Sequence, residues 1–556
     1  MKHLFKGLII INCSFLIFNC SNAQFTHQDT LRGTLGKERT WWNVLKYEIS
    51  VFPDFLQKTI TGKTSIQYKV VEENHSDYLQ IDLQQPLKVD TIFYDGKLYI
   101  NYPSKPYYNE GNVWHVPLPK SLLNSIHSIS IAYSGKPREA VRPPWDGGWI
   151  FTKDEKGRPW MTVACQGLGA SVWFPCKDHQ SDEPDNGSSL TIIVPDTLTA
   201  IANGRLKEKT SLGNGTTSWT WEVKNPINNY TIIPYIGKYV TWHDEYAGEK
   251  GNLDCDYWVI DYNLSKAKEQ FKQVPMMLRA FEYWFGPYPF YEDGYKLIES
   301  SHLGMEHQSA VAYGNHFING YYRSDNKKGT DLSGTGWGLL WDFIIVHESG
   351  HEWFGNNITT NDIADMWVHE GFTNYSETLF TDYHFGIAAG NDYCIGTRSR
   401  IQNDIPIIGP YGVNQEGSGD MYYKGGNLLH TIRQVINNDE KFRLLLRNLN
   451  KDFYHQTTTS QEIEKYISVK SGIDFSKIFD QYLRTIKIPL LEYKINKTTI
   501  AYHWADCADG FNLPVKLTDG SWLSPTPQWK EIPMKENYMK GIEVDRNFYV
   551  LVKKVK

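Results

Sequence analysis

What the chain lacks narrows it first. Only seven of its 556 residues are cysteine, and no Cys-x-x-Cys pair occurs. A disulfide scaffold or a cysteine-built zinc knuckle needs close, regular spacing, so both are excluded. Cys13 and Cys20 fall in a leader segment. Cys165, Cys176, Cys255, Cys394 and Cys507 remain, an odd and scattered set that admits one bridge but reads as buried free thiols. Charge of one sign is equally scarce. The 57 Lys and Arg are met by 63 Asp and Glu for a net charge of −6, with no dense basic run, which excludes nucleic acid as a partner. Beyond the leader, no stretch reaches the roughly 18 consecutive apolar residues of a membrane span. Internal repeats and low-complexity tracts are absent too.

The leader has its own logic. Lys2 and Lys6 precede the apolar stretch Leu8 to Phe18, and the small-residue run Ser21-Asn22-Ala23 stands before Gln24. That order predicts a secretory signal peptide over residues 1–23, cleaved after Ala23, and an exported (periplasmic or extracellular) protein. A lipoprotein signal anchored at Cys20 is the competing reading. Asn19 argues against it, because small residues precede a lipidated cysteine.

The rest has an ordinary globular composition, 41% hydrophobic and 22% charged. Its length exceeds what one hydrophobic core serves, so several domains are expected. Residues 40 to 240 read as β: Ile66, Tyr68 and Val70 alternate with Ser65, Gln67 and Lys69, and Ile129, Ile131 and Tyr133 repeat the pattern. Helical periodicity follows in Phe271, Val274, Leu278, Phe281 and Phe285. Pro275 predicts a kink or split there, and Gly286-Pro287 ends the run. Further helices are predicted at 337–355, 364–384, 421–436, 439–453 and 458–471, and β texture returns after 490. The expected plan is multidomain α+β: a β domain over 24–240, a mixed α/β domain over 241–489 and a small β domain over 490–556.

The sharpest signal is His347-Glu348-Ser349-Gly350-His351, preceded by the apolar run Phe343-Ile344-Ile345-Val346. Residues four apart share a helix face, so both imidazoles can reach one ion, while Glu348 lies about 100° round the helix, beside the metal. There it can take a proton from an activated water. Gly350 costs a helix about 1 kcal/mol relative to Ala and needs a compensating reason. Two histidines leave a catalytic zinc site one protein ligand short. With eighteen residues intervening, Glu370 follows in Met366-Trp367-Val368-His369-Glu370-Gly371-Phe372, on a second predicted helix. It completes a His2Glu set for one Zn2+ per chain. His369 is the other candidate there, but it points to a different face. Asn374 and Glu377, four and seven residues on, fall near the face of Glu370, where one of them can orient a ligating imidazole. The stretch Gly334-Thr335-Gly336-Trp337-Gly338 lacks a phosphate-binding frame and reads as a lead-in to the first helix.

This pattern, His-Glu-x-x-His and then Trp-x-x-Glu-Gly-Phe, resembles the M1 family of zinc aminopeptidases among the gluzincins. Leu303-Gly304-Met305-Glu306-His307 resembles the family's Gly-x-Met-Glu-Asn exopeptidase motif. Tyr422-Tyr423-Lys424-Gly425 resembles its Tyr-x-Lys-Gly segment. Cys165-Gln166, with Pro175-Cys176 beyond, is similar to the β-domain stretch that contacts the substrate amine. The resemblance implies a β-saddle domain followed by a thermolysin-like zinc domain. It implies zinc on His347, His351 and Glu370, Glu348 and Tyr422 as catalytic residues, and Glu306, Gln166, Gly304 and Met305 as binding residues for peptides with a free N-terminus. Leu303 and His307 depart from the motif, and a changed side-chain pocket is expected. After Pro489 only 67 residues remain (556 − 489), room for a small β-sandwich but not for the helical fourth domain of many relatives. A thermolysin-like endopeptidase, a family branch with epoxide hydrolase activity, and an inactive binding protein on the same fold are the alternatives. Glu306 and Gln166 discriminate against the first, and the five intact residues His347, Glu348, His351, Glu370 and Tyr422 against the last.

Overall fold

The structure is a computed structural model that describes residues 25–99, 106–325, 327–539 and 541–556. The leader, with Cys13, Cys20 and the Ala23 cleavage site, lies outside the described residues.

The N-terminal part is β, as the alternation predicts. Its eight-stranded sheet is centred on Trp42–Asp54 and Thr59–Val70, which run antiparallel. Ile66 sits opposite both Tyr47 and Ile129, and all three are buried, while Gln67 between the apolar positions is exposed. Burying an aliphatic side chain is worth about 1.5–3 kcal/mol, so a one-residue slip that turned this row outward would be costly. A second sheet has the order Thr199–Ile201, Tyr235–Gly237, Pro159–Ala164, Gly148–Lys153. Pro159–Ala164 ends one residue before Cys165, which delivers Gln166 to the border with the next sheet.

That next sheet has five strands in the order Tyr239–Gly248, Gly251–Ile260, Tyr295–Glu299, Val311–Tyr313, Gly304–Met305. The two-residue strand Gly304–Met305 forms one edge, antiparallel to Val311–Tyr313. Ile298, Met305, Ala310 and Ala312 pack into the N-terminal core rather than the helical one, so this edge is clamped between the two.

Helices cover the other face. Leu264–Gln270 and Val274–Phe285 are separated by a short 3-10 turn, Phe271–Gln273. Pro275 therefore splits the run: it lies in the first turn of the second helix, where its missing N–H costs no hydrogen bond. The helix predicted over 337–355 is corrected to Phe343–Gly350. Asp342 caps its start by accepting from the amides of Ile344 and Ile345. Beyond His351 the chain leaves helical geometry at Phe354 and at Gly355, whose φ is 128°. The next helices are Trp367–Phe385, Tyr423–Ile436, Asp439–Asp452 and Ser460–Ser471. Ile387–Thr397 and Ser476–Arg484 are two helices that the periodicity did not mark.

The C-terminal sheet has the order Lys530–Pro533, Thr499–Ala505, Leu490–Ile495, Leu551–Lys554. Its Leu491, Ile500 and Trp504 join the same hydrophobic core as the helices. Arg398 ties it down further by donating to the carbonyls of Arg546 and Asn547. Cys165, Cys176, Cys255 and Cys394 are buried free thiols, and Cys507 is free but only half-buried. Among the described residues no helix is long and apolar enough to cross a membrane.

Candidate active site

The helix Phe343–Gly350 and the residue that closes it present His347 and His351 on one side, toward the first turn of Trp367–Phe385. The helices come this close because Gly350 carries no side chain: a Cβ there would stand 2.6 Å from Ser376 Oγ. That contact is the compensation its poor helix propensity requires. Glu370 Oε2 lies 3.6 Å from His347 Nε2 and 3.3 Å from His351 Nε2. The other imidazole nitrogens are taken. His347 Nδ1 is 2.8 Å from Glu377 Oε1, and His351 Nδ1 is 3.0 Å from the Phe354 carbonyl oxygen. A carbonyl only accepts, and so does an ionised carboxylate, so each Nδ1 carries the proton and each Nε2 turns a lone pair toward Glu370. Glu377 is held in turn by Tyr393, whose hydroxyl donates at 2.6 Å, and by Asn374 at 3.1 Å.

Glu370 Oε2 is buried and has no hydrogen-bond partner. Burial alone would raise its carboxyl pKa; without a cation, protonated imidazoles, His351 foremost, would override that and hold it well below the usual range, and a cation bound on the Nε2 lone pairs supplies the same positive charge. An orphaned carboxylate oxygen facing two imidazole lone pairs, all within 4.8 Å of one another, is a vessel for a cation. Two nitrogens and one oxygen, with a cavity on the open side, suit catalytic zinc. His369 is excluded as a ligand: it is fully buried, and its Nε2 accepts from the Thr360 amide at 2.9 Å.

Around this set lies a cavity of about 590 Å³ that all nine residues singled out in the sequence line. Glu348 is buried beside both histidines, and burial pushes its carboxyl up to about 7. A cation on the three ligands pulls in the opposite direction. Tyr422 stands just before the helix Tyr423–Ile436, its ring centroid 6.0 Å from that of His347 and nearly parallel to it. Burial, then the charge of Glu370, keeps its phenol protonated and a donor. Glu306 follows the edge strand directly. Its Oε1 accepts from Gln166 Nε2 at 2.6 Å and from the Tyr230 hydroxyl at 2.9 Å. Gln166 thereby turns its amide nitrogen to Glu306 and keeps its carbonyl oxygen for another donor.

Two expectations change. Leu303 lines the cavity, but His307 does not: it is fully buried and pairs with the Tyr235 hydroxyl. Only the first departure from the motif bears on the pocket. Of Asn374 and Glu377, Glu377 orients His347, and Asn374 acts on Glu377. Tyr230 and Tyr393 escaped the sequence reading, since neither sits in a marked pattern and each meets its carboxylate only through folding.

Comparison with known proteins gives the family and the fold. Residues 43–231 match the Peptidase M1 N-terminal domain, and residues 277–482 match the Peptidase family M1 domain. Aminopeptidase N of Lactococcus lactis subsp. lactis is 22% identical over 470 residues, covering 80% of this chain and 51% of that protein. Leukotriene A-4 hydrolase of Xenopus laevis is 20% identical over 446 residues, covering 77% and 68%. The chain thus spans about half the length of some curated relatives it matches, endoplasmic reticulum aminopeptidase 1 of Mus musculus at 56% among them. The solved M1 zinc metallopeptidase from Deinococcus radiodurans shares the fold, with a TM-score of 0.67 at 18% identity over 81% of this chain and 96% of that one. With both matched regions in order along the chain and a His-His-Glu site for one Zn2+ between its helices, this protein belongs to peptidase family M1.

Proposed function

We propose that the protein is a zinc aminopeptidase that removes the N-terminal residue from peptides with a free α-amine, using the nine residues above. The observation that carries this is the buried carboxylate of Glu306, facing the cavity beside the His-His-Glu set and steadied by Gln166 and Tyr230. His347, His351 and Glu370 would hold a zinc ion, which would supply Lewis acidity to a water and to the scissile carbonyl. Glu348 takes the proton of the attacking water and hands it to the leaving nitrogen. Tyr422 donates its hydroxyl hydrogen bond to the carbonyl oxygen as negative charge develops there. Glu306 neutralises the substrate ammonium, Gln166 adds a neutral acceptor, and Gly304 and Met305 form the strand edge along which an extended substrate lies. The leader from Lys2 to Ala23 supports an exported enzyme.

A free amine is cationic over much of the neutral range, and that charge is costly in a closed cleft unless a carboxylate faces it. Acetylated peptides should therefore be nearly inert. Glu306→Ala should lose about thirty- to several-thousand-fold in kcat/KM on free-amine substrates, the cost of removing one partner of a desolvated charge pair. It should also discriminate far less between free and acetylated peptides. Cleavage of internal bonds in acetylated peptides as fast as N-terminal ones would replace this reading with a thermolysin-like endopeptidase.

A further inference from the structure

The cavity is electrically lopsided. Glu306 stands on the His351 side of the ligand set: its carboxylate, the Glu348 carboxylate and the His351 imidazole bring their ligand atoms within 4.8 Å of one another, and its backbone carbonyl accepts from Asn356. The His347 side is aromatic and basic. Phe343 stacks on His347 with centroids 5.0 Å apart, and Tyr321 meets Phe343 edge-on at 5.3 Å. Two arginines line the cavity at this end, Arg323 and Arg400. Burial raises the Tyr321 phenol pKa, Glu348 raises it further, and Arg323 and Arg400 draw it down, so all three charged groups lie within electrostatic reach of this ring.

The arginines differ in what they have left to bind. Arg323 is exposed and already forks onto Asp325 through contacts of 3.2 and 2.7 Å. Arg400 is half-buried. Its Nε donates to the Leu332 carbonyl at 2.6 Å, and its guanidinium carbon lies 6.0 Å from the ring centroid of Tyr423. Among the described residues it has no carboxylate partner. The carbonyl anchors the fork through Nε, and among the described residues the terminal N–H groups make no hydrogen bond and are left for a ligand. A fixed guanidinium fork is matched to a carboxylate, which it grips through two parallel hydrogen bonds.

A substrate whose amine rests on Glu306 and whose first carbonyl faces the zinc ligands must send its remaining chain toward the His347 side. We infer that Arg400 is a specificity residue that receives a carboxylate on the leaving part of the substrate. That carboxylate is either the C-terminus of a short peptide or an acidic side chain just after the scissile bond. The inference rests on the aminopeptidase reading and deepens it: the cleft selects short or acidic peptides by charge at both ends.

The test uses the zinc-loaded full chain. The first residue is fixed as the one that wild type hydrolyses best as an aminoacyl p-nitroanilide, a substrate without any carboxylate. Four peptides then carry that residue before Ala as free acid, Ala as amide, Asp as amide and Asn as amide. Wild type should favour the free acid over its amide, or Asp over Asn, by about tenfold or more in kcat/KM, as a charge-assisted hydrogen bond provides. The first preference identifies the chain terminus and the second the acidic side chain. In Arg400→Gln the preference should fall to within about twofold, Arg400→Lys should restore part of it, and Arg323→Gln should change it less than Arg400→Gln. The preferences are ratios within one variant, so lost stability does not mimic the effect. Ratios near one in wild type, or ratios unchanged in Arg400→Gln, overturn the inference while leaving p-nitroanilide hydrolysis intact. Failure to hydrolyse the p-nitroanilides and the peptides alike would overturn the aminopeptidase reading and this inference with it.

Discussion

Gly304 lies so close to Glu348 that a Cβ on it would stand 2.5 Å from Glu348 Oε1. The edge strand and the first zinc-site helix thus touch through a missing side chain, and the strand sets where the carboxylate rests. Gly304→Ala should push that carboxylate aside without touching a metal ligand. We expect kcat to fall by about ten- to a hundredfold, because general-base catalysis contributes on the order of 10²–10⁴ and depends on position. Zinc content measured on the same sample should stay at one per chain. Unchanged kcat would mean that the carboxylate has room to give way.

Glu348 and Glu370 are both buried glutamates of one cavity, with opposite assignments. Glu348→Gln should keep its zinc and lose most turnover, since a base is removed and no ligand is lost. Glu370→Gln should lose zinc. Metal analysis beside activity separates the two, and zinc loss from Glu348→Gln would reverse the assignment.

Glu377 is fully buried behind His347 and accepts a hydrogen bond from its Nδ1–H. Glu377→Gln leaves the imidazole without a charged partner and frees its tautomer. Zinc affinity, measured by competition with a chelator, should fall by about ten- to a hundredfold. Tyr393→Phe, which removes only the donor behind Glu377, should have a smaller effect in the same direction.

Tyr422 and Tyr423 are neighbours with different outlooks, one parallel to His347 and the other against Arg400. Tyr422→Phe should lower kcat by about a hundredfold with little change in KM, as expected for a donor that acts on charge developing in the transition state. Tyr423→Phe should stay close to wild type on p-nitroanilides. The reverse result would move the role to Tyr423.

The chemistry-bearing residues were legible because their signals are local. His347 and His351 are readable as a pair since a helix turns by a constant angle per residue, and Glu370 since its spacing and apolar flanks match a second helix. The β alternation around Ile66 is legible for the same reason: each residue reports its own face. Helix ends were not so readable. Periodicity ran through 337–355, whereas the Asp342 cap and the left-handed Gly355 confine the helix to Phe343–Gly350. Ile387–Thr397 went unmarked because its residues show almost no amphipathic stripe: Gly390 and Gly396 interrupt it, and its apolar positions do not share one face.

By itself, then, the sequence determined the order of β and helical parts, the zinc-ligand set and the family's motifs, all of them properties of short windows. Tertiary structure alone decided what stands behind and across from those residues. Tyr230 reaches Glu306 across 76 positions, Gln166 across 140, and Tyr393 meets Glu377 only because two helices pack. Gly304 is a residue of the motif in the sequence, but its contact with Glu348 exists only where a sheet edge meets a helix. Arg400 is an unremarked cation until a carbonyl and an aromatic ring orient it in the cavity. Backbone periodicity encodes which way a side chain faces, but distances between remote segments are set by how whole surfaces pack, and no short window carries that information.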